Sequence, residues 1–308
     1  AAAKAAFPTW NTRPVEERIE YMEKFYDKLE ENKERIMETI IKELGSSRQW
    51  TEKGQFGLPF SEVRAAIDEV KKHEFEYMID TAQIIEEGYG VVAAITPWNY
   101  PLLQIERKIV PAFLAGNTAV LKPASETPLT AQIVADLLDE IDLPKGVFNL
   151  VTGKGSTTGD YLAGHEDVDV ISFTGSTAVG STMYEKAADG IKQVVLELGG
   201  KSPLIFLEGG DLEAAAKQAF STVLNNTGQT CTALTRLIVP TDRLEETKEL
   251  LKEYNDKSVV VGDPEDEDTV VGPLVSESQR ETVLEYIEKG KEEGAEILFG
   301  GNKMDGKG

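Results

Sequence analysis

The sequence feature that most constrains the fold is a regular alternation of short apolar runs with longer amphipathic segments between residues 90 and 198. The apolar runs are rich in β-branched residues and predict strands, whereas the segments between them have helical spacing. Strands separated by helices of this length build parallel βαβ units, which bind ligands at the carboxyl ends of their strands. The predicted strands are residues 90–95, 118–122, 147–151, 170–174 and 193–197, and the predicted helices are residues 102–114, 128–141, 157–163 and 178–188.

The regions on either side of this alternation predict further elements. Residues 15–44 and 60–72 have helical spacing, and residues 74–88 predict an extended ribbon that leaves the domain. Gly199 and Gly200 interrupt the pattern, so we place a domain boundary there. The second series has predicted strands at residues 203–207 and 233–240 and predicted helices at residues 212–224, 244–254 and 277–293.

The composition limits the class of protein. A chain of 308 residues with 41% hydrophobic residues can form two domains with sizeable cores. Its net charge of −22 repels phosphate backbones and anionic membrane surfaces, so we expect no nucleic-acid or membrane partner. The single cysteine excludes an internal disulfide and a multi-cysteine metal site. Residues 1–10 lack an export signal and no apolar stretch is long enough to span a membrane, so we expect a cytoplasmic protein.

One candidate nucleophile lies in a polar stretch that contains glycine. Cys231 belongs to residues 225–232, Asn-Asn-Thr-Gly-Gln-Thr-Cys-Thr, between a predicted helix and a predicted strand. A thiol on such a turn can face outward while its own backbone amide donates to a developing oxyanion, as acyl chemistry requires. The alternative, a small buried structural cysteine, remains open.

The base that would act with this thiol is not expected to be a histidine. His73 and His165 lie in charged or polar segments, which disfavours a cysteine–histidine hydrolase. Glu197 ends an apolar strand, and we expect its carboxyl group to be buried there, an environment that suits a general base. An ordinary strand-end carboxylate is the alternative.

Three further segments with polar side chains or glycine follow predicted strands. Asn99 comes after the first strand and either donates its amide to an oxyanion or caps the next helix. Lys122 ends the second strand and either holds a ribose or phosphate or is a solvated lysine. Gly175 and Ser176 lie where a strand meets a helix, and either admit a diphosphate to the helix N-terminus or form a helix cap.

Together these segments resemble the motifs of the aldehyde dehydrogenase superfamily, in the same order along the chain. The resemblance is to the hydrolytic, NAD(P)⁺-dependent type and extends over the whole chain. The matching motifs are Pro97-Trp98-Asn99, Lys122-Pro123, Phe173-Thr174-Gly175-Ser176, Glu197-Leu198-Gly199-Gly200-Lys201 and Gly228-Gln229-Thr230-Cys231.

This resemblance implies a fold and a division into domains. The expected fold class is α/β, with a Rossmann-like parallel-sheet cofactor domain and part of a second α/β domain that is catalytic. Residues 1–73 and 89–198 would bind NAD(P), and residues 199–308 would belong to the catalytic domain. Residues 74–88 would be the ribbon through which family members form homodimers or homotetramers.

The resemblance also implies roles for single residues. The Cys231 thiolate would attack an aldehyde, and the Cys231 amide and the Asn99 side chain would stabilise the oxyanion. Hydride transfer to NAD or NADP would leave a thioester, which a water activated by Glu197 would hydrolyse, and no metal would be needed. The residues expected to line the cofactor cleft are Ile95, Thr96, Trp98, Lys122, Gly155, Gly159, Gly175, Ser176 and Leu198.

Two departures from the family pattern affect these expectations. Ser125 stands where NAD-preferring members often carry a glutamate that binds the adenosine ribose, and Glu126 follows one place later. A 2′-phosphate would not be repelled by Ser125, so both NAD and NADP remain open. The family's beginning and its later Glu-x-Phe-Gly-Pro segment are absent, and residues 300–308 are a polar, glycine-rich loop typical of a chain that continues. A molecule that ended at Gly308 would have weak or no turnover.

Two alternatives to the hydrolytic enzyme remain. A CoA-acylating aldehyde dehydrogenase would keep the Cys231 thiol and pass the thioester to CoA, without needing a hydrolytic carboxylate such as Glu197. A non-catalytic fragment would retain the fold and nucleotide binding alone. The sequence does not fix which aldehyde would be the substrate, because no single charged anchor for a side chain is evident.

Overall fold

The structure is a computed structural model that describes residues 1–304. Its contacts divide the chain into two compact units. The first unit comprises Ala1–Ile40 and Lys53–Leu198, and the second comprises Ile41–Glu52 and the chain from Gly199 onward. The assignment of one unit to cofactor binding and the other to catalysis stays a prediction.

Helices and strands alternate along much of the described chain. The α-helices are α1 Ala2–Asn11, α2 Val15–Glu31, α3 Lys33–Leu44, α4 Arg48–Trp50, α5 Leu58–Val70, α6 Pro101–Leu114, α7 Leu129–Glu140, α8 Asp160–Gly164, α9 Thr177–Ala188, α10 Leu212–Leu224, α11 Leu244–Ser258 and α12 Glu277–Glu292. The strands are β1 Glu76–Ile79, β2 Ala82–Ile85, β3 Val91–Ile95, β4 Thr118–Lys122, β5 Phe148–Leu150, β6 Val170–Gly175, β7 Gln193–Leu198, β8 Pro203–Ile205 and β9 Arg236–Ile238. Short π-helical or 3₁₀ segments are Thr51–Gly57, Gly155–Gly159, Asn225–Gly228 and Thr241–Arg243.

The first unit is built on a five-stranded sheet in the order β5-β4-β3-β6-β7, with every neighbouring pair parallel. The predicted α/β class with a parallel sheet is therefore confirmed. The chain moves outward from β3 through β4 to β5, then returns to the other side of β3 to form β6 and β7. This reversal creates a switch point between β3 and β6, where open α/β sheets bind ligands at the carboxyl ends of their strands.

The central strand shows why these residues form a buried parallel sheet. All five residues of β3 are buried, as expected for a strand covered by helices on both faces. Val91, Ala93 and Ile95 alternate along the strand and belong to one apolar cluster with Phe173 of β6 and Met183 of α9. Burial of a side chain of this size contributes about 1.5–3 kcal/mol to folding. The cluster thus fixes α9 against the sheet and sets the position of its N-terminus.

The predicted ribbon at residues 74–88 is an antiparallel hairpin of β1 and β2. Asp80, in the turn, has a φ of 53°, which a short polar residue tolerates better than most. Three apolar side chains of the hairpin, Met78, Ile79 and Ile85, are exposed. Its role in oligomers stays a prediction.

The second unit contains a two-stranded parallel sheet of β8 and β9 together with α10, α11 and α12. The segment Ile41–Glu52 packs with it, since Arg48 N donates to Pro264 O at 2.9 Å. The prediction of a strand over residues 233–240 is too long, because β9 covers only Arg236–Ile238. Pro240 has no N–H to extend the ladder, and residues 233–235 are irregular after a turn at Cys231 and Thr232.

Two elements of the first half are not predicted by the sequence pattern. Helix α1 contains Pro8 and a run of alanines, so its apolar spacing is weak. It is held by Trp10, which is buried and whose Nε1 donates to Phe113 O at 3.1 Å. The π-helical segment Thr51–Gly57 leads directly into α5. Within residues 1–304, the helices are all too short or too polar to cross a lipid bilayer.

Candidate active site

The first group of predicted site residues follows β3. Ile95 and Thr96 are buried, and Thr96 N donates to Lys122 O at 3.2 Å, which extends the contact between β3 and β4 beyond the paired residues. Trp98 is half-buried, and its carbonyl accepts a hydrogen bond from Thr127 Oγ1 at 3.4 Å. These hydrogen bonds hold the segment after β3 against β4 and the residues that follow β4.

Asn99 lies between β3 and α6 and is half-buried. Its carbonyl oxygen accepts a hydrogen bond from Gln55 Nε2 at 2.9 Å. The N-cap of α6 is Tyr100, with no side-chain cap bond, so Asn99 does not cap this helix as the alternative interpretation proposed.

Lys122 ends β4 and is only 3% exposed, so it is not a solvated strand-end lysine. Its Nζ donates to Pro123 O at 2.7 Å. Burial lowers the pKa of Lys122, and the nearby Glu126 carboxylate opposes that shift. A Cβ on Gly159 would lie 3.6 Å from Lys122 Cδ, which places the π-helical turn after β5 beside the lysine stem. An ammonium with three donors is thus held at the carboxyl edge of the sheet.

The residues that bear on nucleotide preference are open to solvent. Ser125 and Glu126 are both exposed, and Ser125 Oγ donates to Gly153 O at 3.5 Å. A Cβ on Gly155 would meet no atom within 4 Å. The surroundings of Ser125 are consistent with either a ribose hydroxyl or a 2′-phosphate at this edge.

Gly175 at the end of β6 and Gly180 in α9 both pack closely against other residues. A Cβ on Gly175 would lie 2.4 Å from the Phe173 ring, and one on Gly180 would lie 2.7 Å from Leu198 Cδ2. Ser176 is the N-cap of α9, and its Oγ accepts a hydrogen bond from Val179 N at 3.4 Å. The helix-cap interpretation of Ser176 is confirmed, and α9 presents its N-terminus at the carboxyl end of β6.

Glu197 is exposed, so the expectation that its carboxyl group is buried is wrong. The reason is that β7 is an edge strand of the sheet and its exposure alternates from one residue to the next. Leu196 and Leu198 are half-buried on the opposite face of β7 from Glu197. In the parallel register Glu197 is opposite Thr174 of β6.

Lys108 is a buried lysine that was not singled out from the sequence, and it contacts strand β6 from helix α6. Lys108 of α6 is 8% exposed, and its Nζ donates to Ser172 Oγ at 3.2 Å and to Thr174 Oγ1 at 2.8 Å. Burial lowers the pKa of Lys108 to about 8, although the Glu197 carboxylate acts to raise it. The signal in the sequence is a lysine in a helix, α6, whose residues are mostly apolar.

The predicted cofactor residues fit an anionic dinucleotide on chemical grounds. They lie at or just after the carboxyl ends of parallel strands, on one edge of the first unit's sheet. The edge offers the Lys122 ammonium, the N-terminus of α9 and the open space beside Gly155. These are the features that hold phosphates through backbone amides and a placed cation.

Cys231 belongs to the second unit and lies in a turn between the 3₁₀ segment Asn225–Gly228 and β9. Its thiol is exposed, as its polar flanks predict, which rules out the buried structural cysteine. Gly200 lies close by, since a Cβ there would be 4.0 Å from Cys231 O. The thiol is therefore accessible on a loop, as a nucleophile must be.

Comparison with known proteins identifies the family. The sequence model that describes the aldehyde dehydrogenase family matches residues 1–308 of this chain. The chain belongs to this family. A family relative from Staphylococcus haemolyticus is 42% identical over 97% of this chain and 63% of its own length.

Solved structures of the family have the same fold. A mutant of aldehyde dehydrogenase C from Pseudomonas syringae, complexed with NAD⁺ and octanal, has a TM-score of 0.95 at 39% identity, covering 98% of this chain and 62% of that one. An NAD⁺ complex of an aldehyde dehydrogenase from Bacillus cereus has a TM-score of 0.95 at 36% identity, covering 100% of this chain and 64% of that one. The chain thus spans less than two thirds of the length of these aldehyde dehydrogenases.

Proposed function

We propose that the protein oxidises an aldehyde to a carboxylic acid with NAD⁺ or NADP⁺, with Cys231 as nucleophile and Glu197 as general base. The observation that carries the proposal is the exposed Cys231 thiol on a hydrogen-bonded polar turn, in a chain of the aldehyde dehydrogenase family. The NAD⁺ complexes of similar aldehyde dehydrogenases support the cofactor.

In the first half of the proposed reaction, the Cys231 thiolate adds to the aldehyde carbon and the carbonyl oxygen becomes an oxyanion. The backbone amide of Cys231 and the side-chain amide of Asn99 stabilise that charge without introducing a cation. The half-buried position of Asn99, with its backbone held by Gln55, supports a fixed donor. The former aldehyde carbon then gives up its hydrogen as hydride, which leaves a thioester on Cys231; the dinucleotide, when bound, would supply the hydride acceptor.

In the second half, Glu197 takes a proton from a water molecule, and the hydroxide attacks the Cys231 thioester. The carboxylic acid leaves, and the thiolate of Cys231 is regenerated. Exposure of Glu197 supports access for this water. The Lys108 ammonium donates to Thr174, which is opposite Glu197 in the register, and its charge attracts the Glu197 carboxylate.

The residues proposed to hold the dinucleotide are those at the carboxyl edge of the first unit's sheet. Lys122 would hold a ribose or phosphate, and the N-terminus of α9 at Ser176 would face the diphosphate. Ser125, with exposed Glu126 beside it, leaves both NAD⁺ and NADP⁺ as cofactors. The remaining members of this set are Ile95, Thr96, Trp98, Gly155, Gly159, Gly175 and Leu198.

We also propose that the protein forms homodimers or homotetramers in the cytoplasm. The exposed apolar side chains of Met78, Ile79 and Ile85 on the β1–β2 hairpin support a contact between copies. A reducing compartment would keep the exposed thiol of Cys231 in its active form. Light scattering of the full-length protein, with and without Ile79→Lys, measures the oligomeric state.

The test of the function is a screen of the full-length protein against hexanal, benzaldehyde and succinic semialdehyde, each with NAD⁺ and with NADP⁺. Formation of the reduced cofactor and of the matching carboxylic acid, both lost in Cys231→Ala, would support the proposal. A parallel reaction with CoA separates the hydrolytic from the acylating enzyme, because only the latter gives an acyl-CoA. Binding of NAD⁺ without oxidation of any aldehyde would instead favour a nucleotide-binding protein.

A further inference from the structure

The turn that precedes Cys231 has an unusual backbone. Asn226, Thr227 and Gly228 have φ values of 53°, 57° and 76°, so three successive residues occupy the left-handed region. Thr227 is β-branched, and such residues adopt this region only at a cost. A run of this kind persists where neighbouring contacts hold it in place, and such strained turns cluster at functional sites.

Gln229 contacts this turn from its carboxyl side. Its backbone N and its Nε2 both donate to Asn226 O, at 3.0 and 3.3 Å. In return, Asn226 Nδ2 donates to Gln229 O at 3.2 Å. Asn226 is only 2% exposed, so water does not compete effectively for these hydrogen bonds. Asn226 and Gln229 therefore hold the turn closed through hydrogen bonds in both directions.

The Gln229 side chain also reaches a segment that is distant in sequence. Its Oε1 accepts a hydrogen bond from Val275 N at 3.0 Å. That segment is itself closely packed within the second unit, because a Cβ on Gly45 would lie 2.6 Å from Pro273 Cγ and one on Gly272 would lie 2.3 Å from Gly45 O. The amide of Gln229 thus joins the left-handed turn to a tightly packed segment.

We infer that Gln229 is a positioning residue for the Cys231 nucleophile. Cys231 follows Gln229 by two residues, so the directions of its N–H and its Sγ depend on the conformation of the turn. The side-chain amide of Gln229 holds that turn, because it donates to the Asn226 carbonyl and accepts from the Val275 N–H. The inference rests on the proposed function, because the direction of the Cys231 N–H matters only if an oxyanion forms there.

Three variants of the full-length protein test this role. Gln229→Met keeps the length of the side chain and removes the amide, whereas Gln229→Glu keeps an acceptor for Val275 N and loses the donor to Asn226 O. Gln218→Met, at an exposed position of α10 in the same unit, is the matched control. For each protein, kcat and KM are measured with the best aldehyde of the screen and NAD⁺. Thermal stability and the rate of Cys231 alkylation by iodoacetamide, located by peptide mass spectrometry, are measured alongside.

We expect Gln229→Met to lower kcat by about 100-fold, the effect of misplacing reacting groups by about an ångström. The KM for NAD⁺, the melting temperature and the alkylation rate should stay within about threefold or a few degrees of the wild-type values. The two reactions separate because iodoacetamide needs only an accessible thiol, whereas aldehyde addition needs the amide donor in place. Gln229→Glu should give an intermediate kcat, and Gln218→Met should match the wild type.

A Gln229→Met enzyme whose kcat stays within about threefold of the wild type would overturn the inference. So would a fall in kcat matched by equal falls in alkylation rate and thermal stability, since that pattern indicates a general structural role. A wild-type protein that oxidises no aldehyde would overturn the proposed function, and this inference with it. An active wild type with an unaffected Gln229→Met variant would overturn only the role of Gln229, so the two failures can be told apart.

Discussion

The carboxyl edge of the first unit's sheet and the Cys231 loop of the second unit hold their proposed functional groups by different means. At the sheet edge, Lys122, Ser176 and Glu197 sit at the ends of regular strands or at the start of a helix. Cys231 instead follows three successive left-handed residues in a loop held by side-chain hydrogen bonds. At the sheet, periodic backbone hydrogen bonds fix these side chains, whereas individual side-chain hydrogen bonds fix the loop before Cys231.

The first prediction tests whether the loop residue is the nucleophile. Cys231→Ala should lower kcat by at least about 10⁴-fold, because no other group forms the thiohemiacetal. Binding of NAD⁺, measured by calorimetry, should be unchanged, since the sheet edge is untouched. Thr232→Ala, at the exposed neighbouring position, should keep most of the activity. Comparable activity in the two variants would remove Cys231 from the mechanism.

The second prediction concerns the sheet-edge carboxylate. Glu197→Gln should lower steady-state kcat by about 10²–10³-fold, as loss of a general base does. Stopped-flow measurements should still show one stoichiometric burst of reduced cofactor, because the step before hydrolysis does not need Glu197. The matched variant Glu185→Gln, exposed on α9, should turn over normally. A variant without a burst would place Glu197 before the oxidation step.

The third prediction concerns Lys108, the buried lysine of α6 that contacts β6. Since the folded pKa of Lys108 is about 8 and its ordinary value is 10.5, the unfolded chain binds more protons between these two pH values. The free energy of unfolding of the wild type should therefore rise by about 3 kcal/mol, relative to Lys108→Met, as pH increases through this window. Urea titrations at several pH values measure this slope. Lys217→Met, which is exposed, should leave the slope unchanged.

The fourth prediction concerns a buried acid in the same helix with the opposite pH dependence. Glu106 is 2% exposed, and neither of its carboxyl oxygens has a hydrogen-bond partner within the described residues. Burial, and secondarily the Glu62 carboxylate, raise the pKa of Glu106 well above 4.5. Above pH 4.5 the folded state holds this proton more firmly than the unfolded chain, so stability falls as pH rises.

Glu106→Leu should therefore raise the free energy of unfolding at neutral pH by about 1–3 kcal/mol, the cost of a buried unpaired polar group. The gain should be smaller at pH 5, and Glu69→Leu, at an exposed position, should not reproduce it. Urea denaturation at the two pH values gives both numbers. A Glu106→Leu protein less stable than the wild type would show that the carboxyl group is satisfied by a partner such as bound water.

The smallest predicted effect returns to the Cys231 loop. Thr227→Gly relieves a left-handed φ of 57° and should stabilise the protein by about 0.5–1 kcal/mol, after the entropy of the unfolded glycine is deducted. Thr222→Gly, within α10, should destabilise it by a similar amount, because its backbone is helical. Equal signs for the two substitutions would mean that the turn before Cys231 is not strained.

The difference between regular elements and irregular loops also explains how much could be predicted from the sequence. The strands and helices of the parallel sheet were predicted to within a few residues, because apolar periodicity is a local signal. The exposure of Glu197 was not, because edge position depends on strand order, which periodicity does not give. Lys108 was missed for a related reason: its partners, Ser172 and Thr174, lie on a strand distant in sequence.

The second unit was predicted less well, and the reason lies in its irregular backbone. The sequence placed Cys231 on a polar turn with an accessible thiol, and that is where it lies. The left-handed run at Asn226 and Thr227 could not be predicted, since neither residue is a glycine. The bond from Val275 to Gln229 joins segments far apart in sequence, so it too leaves no local signal.

The most direct test of the proposed function is the mass of the intermediate. Full-length Glu197→Gln protein is mixed with the best aldehyde and NAD⁺, quenched in acid and digested, and its peptides are analysed by mass spectrometry. We expect an acyl group on the peptide that contains Cys231, in an amount equal to the reduced cofactor formed in the burst. Reduced cofactor without an acyl group on Cys231, or an acyl group on another residue, would contradict it.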